Sequence, residues 1–194
     1  MIKYTAMLFR MKYIERWGLM RNARRETLSE HSADVAIVAG VLAAVANSEF
    51  AAGVSPERVM AAGVLHDCPE IITGDLPTPV KYDNAGIEEE YKKVERSASD
   101  RLLSMLPPDQ RAQIEPLAQS AALSDRERRI VKAADILCAL IKCREELRFG
   151  NSEFRSAARS TETRAAALGL PEVDYFLREY LPAHELDLDD LLSR

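Results

Sequence analysis

The chain has 194 residues, of which 47% are hydrophobic and 29% charged. That balance excludes a disordered or fibrous protein and sets a prior of one domain or slightly more. A net charge of −5 and a pI near 5.4 argue against a nucleic-acid polymer as partner but leave a small anionic ligand open. Arg, Lys, Asp or Glu interrupts every apolar stretch before the ~20 residues a bilayer span needs, so no membrane is expected. Basic residues also break the stretch from Met1 to Trp17 before a secretory apolar segment can form, and the expected compartment is the cytoplasm. The three cysteines, Cys68, Cys138 and Cys143, show no C-x-x-C spacing and read as buried free thiols.

Alanine occurs 27 times and aromatics make up only 6% of the chain, a composition for which helix is the natural secondary structure. Ser29 reads as an N-cap for a helix over about 31–48, with Val35, Val38, Leu42 and Val45 on one face. Ser55-Pro56 starts a helix that runs to about Asp67. Pro69 ends it and opens a short one carrying Glu70 to Thr73. The two prolines of 74–79 predict an extended, rigid loop. Helices resume over about 86–105, 108–119 and 124–149, the last stopped at Gly150-Asn151. Another spans about 152–167 and ends at Gly169, and Pro171 starts one through Tyr180. The terminal LDLDDLLSR reads as a short amphipathic turn or tail. No repeat or linker divides the chain. The expected architecture is a single all-α helical bundle over 1–194, with a site-bearing core over about 29–140 and C-terminal helices over about 152–194.

Only three histidines occur. His31 opens a predicted helix, His66 adjoins Asp67, and His184 lies in the tail. Asp135 interrupts the apolar face of VKAADILCALIKC, where a carboxylate is costly without a partner. Two imidazoles and two carboxylates, all on or at the ends of predicted helices, suit one divalent ion of borderline softness such as Mn, Co, Fe, Ni or Zn. The absence of thiolates argues against a closed structural zinc site, and open coordination positions are what hydrolysis requires. Taken singly, each element has a plainer explanation. A His-Asp pair arises often by chance, and Asp135 can be salt-bridged to Lys132 or Arg144.

The ordered set H…HD…D on helices resembles the HD-domain metal-dependent phosphohydrolases. Arg16-Trp17, MRN at 20–22, SEHS at 29–32, HDCPE at 66–70, TGDLPTPVKY at 73–82, KAAD at 132–135 and DYF at 174–176 extend the likeness to the YfbR-type 5′-deoxynucleotidases over nearly the whole chain. The long proline-containing motif joined to HDxxE is far more specific than HD alone.

That resemblance implies a metal held by His31, His66, Asp67 and Asp135. It implies hydrolysis of 2′-deoxyribonucleoside 5′-monophosphates to deoxynucleoside and phosphate. Glu70 matches the catalytic glutamate, able to exchange a proton with water or the leaving 5′-oxygen. Arg16 matches the residue that orients the phosphate, a task suited to a permanently charged, two-pronged guanidinium. Trp17 matches the residue that lies against the deoxyribose and excludes a 2′-hydroxyl by bulk, although a lone tryptophan can equally anchor a core. Asp75, Leu76, Pro77 and Thr78 match the loop bordering sugar and base, Asp75 as acceptor from the 3′-hydroxyl. His31, Asp67 and Asp135 face the substrate as well as the ion. Cobalt or manganese as the ion, and a homodimer packed through a helix such as 37–46, follow from the same likeness.

Pro69 departs from the motif but suits the first turn of a new helix, and Cys68 reads as a packed side chain. Arg21, Arg24 and Arg25 read mostly as a solvated face. Three rival readings remain: another HD-domain hydrolase of triphosphates or cyclic nucleotides, a non-catalytic nucleotide sensor on the same scaffold, and a helical adaptor. The first lacks the extra histidines of a dinuclear site, the second is disfavoured by the retained Glu70, and the third leaves Asp135 unexplained.

Overall fold

Helices in the computed structural model, which describes residues 1–81 and 84–193 apart from the Thr78 side chain, begin where a side chain can satisfy the orphan N–H groups of a first turn. Helix α1 (Tyr4–Leu8) runs straight into a 3-10 turn over Phe9–Tyr13; the sequence reading assigned nothing here. Helix α2 spans Leu28–Phe50 and is capped by Thr27 rather than Ser29. Glu30 N–H donates to Thr27 Oγ1 at 3.2 Å, while the Glu30 carboxylate accepts from Thr27 N–H at 2.8 Å. This reciprocal pair satisfies two donors where Ser29 would satisfy one, so the helix starts earlier than the apolar periodicity alone implied. His31 therefore sits inside the first turn.

Helix α3 (Pro56–Leu65) starts as expected, with Ser55 Oγ accepting from Arg58 N–H at 3.2 Å. Pro69 precedes the single turn of α4 (Glu70–Thr73), and Gly74 at φ +74° lets the chain leave it. The stretch after it is not wholly extended, contrary to expectation. Thr78–Lys81 forms a turn of helix, α5, with Pro77 C=O accepting from Val80 and Lys81 N–H. Pro79 fits because first-turn N–H groups have no intrahelical acceptor to lose. Helices α6 (Ala85–Leu103), α7 (Pro108–Ala118) and α8 (Asp125–Arg148) follow. Ser124 and Glu127 repeat the reciprocal cap at the start of α8. Gly150 at φ +80° stops the ascent. A 3-10 turn over Ser152–Phe154 leads into α9 (Arg155–Ala166), then α10 (Pro171–Glu179), a 3-10 turn at Leu181–Glu185 and α11 (Leu188–Leu192). Among the described residues the nearest approach to a strand is one antiparallel bridge, Glu15 with Thr27.

The result is a single all-α domain whose axis is α2. Helices α3, α8 and α10 pack on it, burying Val35, Ala39, Leu42, Ala43, Ile130, Leu137 and Leu140 in one core. A second cluster, with Tyr4, Met11, Leu28, Leu102 and Leu103, ties the N-terminal turns to α6. The central position explains why α2, by length and composition, is apolar enough to cross a membrane, a property the sequence reading denied to every segment. In the fold that apolarity is spent on helix contacts. Gly63 permits a close backbone approach: a Cβ there would meet Ala36 Cα at 2.9 Å. The close approach of α3 to α2 sets His66 beside His31. All three thiols are buried and unpaired, as expected.

Candidate metal centre and nucleotide pocket

The first turn of α2, the C-terminal end of α3 and the middle of α8 converge on one point. His31 is wholly buried, and its ring centroid lies 5.5 Å from that of His66. Single donor atoms of His31, His66 and Asp67 all lie within 4.8 Å of one another. His66 Nε2 is 3.0 Å from Asp67 Oδ2, and His31 Nε2 is 3.8 Å from the same oxygen. Asp135 closes the group through Oδ1, 3.4 Å from His31 Nε2. Its other oxygen accepts from Lys132 Nζ at 2.7 Å, so the salt bridge and the ligand position coexist on one carboxylate.

The chemistry of these atoms fits a metal. Both ring nitrogens of His31 and Nε2 of His66 are buried without an aligned hydrogen bond, the two Nε2 atoms having only carboxylate oxygens beside them, an arrangement that a cation between them would satisfy better. His66 Nδ1 is 2.7 Å from Gly63 C=O; an N–H there would fix the tautomer that frees Nε2 to coordinate. Burial opposes charge on both Asp67 and His66, but each overcomes it through the other: Asp67 is held down at about 2 and His66 pushed up to about 9. Burial likewise opposes the Asp135 carboxylate, yet His31, Lys132 and His66 keep it well below the usual range. A cation in place of the His66 proton would relieve the same carboxylates.

A cavity of about 660 Å³ opens over this group, with Arg16, Trp17, His66, Asp67, Glu70 and Asp135 on its walls. Arg16 Nη1 is 3.5 Å from Asp67 Oδ2, and its Nε donates to Glu26 Oε2 at 3.1 Å. Burial disfavours the guanidinium charge, but Glu26, Asp67, Asp135 and Asp75 together raise its pKa further. Glu70 is buried, its Oε2 lacks a partner, and its pKa is pushed up to about 9 by burial, then by Asp67 and Asp75. The proline at 69 has not displaced it. Cys68 is packed against Met11, with its thiol pushed up to about 12 by burial, which suits packing and not nucleophilic attack.

Trp17 stands at φ +61°, a left-handed conformation that costs a bulky residue on the order of 1–3 kcal/mol. It is held there from three sides. Its backbone N–H donates to Asp75 Oδ2 at 3.1 Å, its indole Nε1–H to Glu26 Oε2 at 2.8 Å, and its ring meets Phe154 at 5.3 Å. Asp75 therefore spends one oxygen on Trp17, where the sequence reading gave it to a sugar hydroxyl. Leu76 and Pro77 border the cavity beside Asp75; the Thr78 side chain and Tyr82 lie outside the described residues. His184 is on the Leu181–Glu185 turn, beside a separate small cavity, and stands apart from the metal group. Sequence reasoning missed Glu26, which no motif marks, and part of the cavity lining, Ser156, Ser160 and Arg164 of α9 with Ile136 and Ala139 of α8. A regular three-to-four spacing of polar residues on α9 was the signal available for that lining.

Comparison with known proteins supplies the family. Residues 3–184 match the family described as 5′-deoxynucleotidase YfbR-like. A 5′-deoxynucleotidase of Erwinia tasmaniensis is 47% identical over 97% of this chain and 95% of its own length. The 5′-deoxynucleotidase YfbR of Shigella dysenteriae is 46% identical over 97% and 94%. Among solved structures, an HD-domain phosphohydrolase from Listeria innocua superposes with a TM-score of 0.81 at 25% identity, covering 94% of this chain and 88% of that one. The cyanophage S-2L HD phosphohydrolase DatZ, solved with dA and one catalytic Zn²⁺, shares the fold at TM-score 0.68 and 17% identity, covering 92% and 96%. The chain belongs to the YfbR-like 5′-deoxynucleotidase family.

Proposed function

We propose that this protein is a metal-dependent 5′-deoxynucleotidase, releasing phosphate from 2′-deoxyribonucleoside 5′-monophosphates. The observation that carries the reading is the convergence of buried imidazole nitrogens, without aligned hydrogen bonds, on the carboxylates of Asp67 and Asp135, beside a cavity that also holds Arg16 and Glu70. His31, His66, Asp67 and Asp135 would hold one divalent ion, with cobalt or manganese as the proposed metal. When bound, the ion supplies Lewis-acid polarisation of water and of a phosphoryl oxygen.

The remaining chemistry belongs to the chain. Arg16, its Nε engaged by Glu26, keeps its terminal nitrogens for the phosphate and lines up the phosphorus for attack. Burial, with Asp67 and Asp75 nearby, pushes the Glu70 pKa up, which suits it to donate a proton to the 5′-oxygen as the P–O bond breaks and then to recover one from water. Trp17 fills the space where a 2′-hydroxyl would project. Asp75, Leu76, Pro77 and Thr78 border sugar and base, with Asp75 Oδ1 as the acceptor for the 3′-hydroxyl. The buried, unpaired thiols support a reducing, cytoplasmic location. Ile37 on α2, 60% exposed, with Met60 and Val64 on α3, offers an apolar face for a homodimer.

Phosphate release from dAMP by chelated protein, before and after addition of cobalt, manganese or zinc, tests the reading. Activity that returns with metal is expected. Full activity in protein shown metal-free by elemental analysis would overturn it.

A further inference from the structure

Glu26 is almost fully buried, and a buried carboxylate demands partners. It has two on the same atom. Oε2 accepts from Arg16 Nε at 3.1 Å and from Trp17 Nε1 at 2.8 Å. One oxygen thus fixes the separation between the guanidinium assigned to the phosphate and the indole assigned to the sugar. It takes Nε only, and Nη1 of Arg16 lies toward Asp67, 3.5 Å from its Oδ2.

The backbone reinforces this coupling. Arg16 N–H donates to Glu26 C=O at 3.0 Å, and Leu28 N–H to Ile14 C=O at 2.8 Å, around the bridge between Glu15 and Thr27. Thr27 caps α2, which carries His31. Segment 14–17 is thereby tied to the helix that supplies the first metal ligand, and Glu26 is the side-chain part of that tie. Trp17, held at φ +61°, has a strained backbone that would relax without such restraints.

We infer that Glu26 is a positioning residue that sets Arg16 and Trp17 as one unit, so that phosphate alignment and exclusion of the 2′-hydroxyl depend on the reach of this one carboxylate. The functional half of this inference rests on the deoxynucleotidase reading; the structural half does not. Glu26 touches neither substrate nor metal ligand and acts through its two partners.

Reach can be separated from charge. Glu26→Gln keeps the reach and one carbonyl oxygen that can accept from both donors, and removes the charge. Glu26→Asp keeps the charge and withdraws the oxygen by one methylene. The AMP-to-dAMP ratio of kcat/KM is the first readout, because partial unfolding lowers both substrates equally and leaves the ratio fixed. Glu26→Asp should raise that ratio about tenfold, since an ångström of misplacement costs up to ~10²-fold in rate, and Glu26→Gln should leave it within about twofold. The second readout needs no activity. Trp17 is the only tryptophan in the chain, so its emission and acrylamide quenching report the indole directly in the protein without nucleotide. Quenching should rise in Glu26→Asp and stay near wild type in Glu26→Gln. An unchanged ratio and unchanged quenching in Glu26→Asp, or changes that follow charge so that only Glu26→Gln moves, would overturn the inference. If the wild type fails to cleave dAMP, the deoxynucleotidase reading falls while the quenching comparison still decides the positioning role.

Discussion

Replacing Glu70 with glutamine should make the metal-free protein more stable and cut the turnover of the metal-loaded enzyme. Glu70 is buried, with Oε2 unpartnered, and its pKa rises from 4.5 to about 9. Between those values the folded chain holds a proton that the unfolded chain has released, so stability falls as pH rises through that window. Below pH 4.5 both states are protonated and the side chain costs nothing of this kind. Glutamine has the shape of the protonated acid and cannot ionise, so the variant lacks that slope. The stability difference should be near zero at pH 4, grow steadily, and reach about 3 kcal/mol at pH 7. Urea denaturation of chelated wild type and Glu70→Gln at pH 4 to 8 measures it directly. With metal restored, turnover of dAMP by the variant should fall by ~10²–10⁴, the usual contribution of a general acid–base group, with metal content unchanged. A stability difference that does not vary with pH would refute the burial argument, and near-wild-type turnover would remove Glu70 from the chemistry.

Asp67→Ala should lose metal as well as turnover, read by elemental analysis after dialysis, because it deletes the carboxylate oxygen that lies within 4 Å of both imidazoles. Trp17→Ala should raise the AMP-to-dAMP ratio of kcat/KM, whereas Arg16→Ala should depress both substrates together; an unchanged ratio in Trp17→Ala would make the indole a packing residue against Phe154. Burial alone would raise the Glu146 pKa, but Lys142, Asn151 and the N–H groups of Ala23 and Arg24 hold it at about 2. Stability from this group is present above pH 4.5 and lost as pH falls toward 2, about 3 kcal/mol in all; Glu146→Gln should flatten the acid limb of a pH–stability curve.

Much of this was readable before any fold was known. Strong start and stop chemistry, Ser55-Pro56 and Gly150, placed the start of α3 and the end of α8 within a residue or two, because each satisfies a local demand of the backbone. Thr27 was passed over for Ser29 since apolar periodicity begins later than the capping pair does. The turn at Thr78–Lys81 was hidden by two prolines, which forbid a helix interior but not a first turn. Helix α1 is five residues long and is stabilised by packing on α6, which no local pattern reveals. At the site, His31, His66, Asp67 and Asp135 were legible as scarce residue types in a fixed order. Glu26 was not, because its importance lies in donors ten and nine residues away and in a bridge between Glu15 and Thr27.

The central claim is that a metal, one arginine and one tryptophan make this pocket selective for a 5′-phosphate on a deoxyribose. The most direct test is kcat/KM for dAMP, AMP and 2′-deoxyadenosine 3′-monophosphate, measured side by side on metal-loaded wild type. An apolar pocket that merely lacks a partner for an added hydroxyl rejects it by only ~10²-fold, so bulk at Trp17 should give a preference for dAMP over AMP of at least that size. The 3′-monophosphate should be cleaved hardly at all. Equal turnover of dAMP and AMP would contradict the deoxynucleotidase assignment.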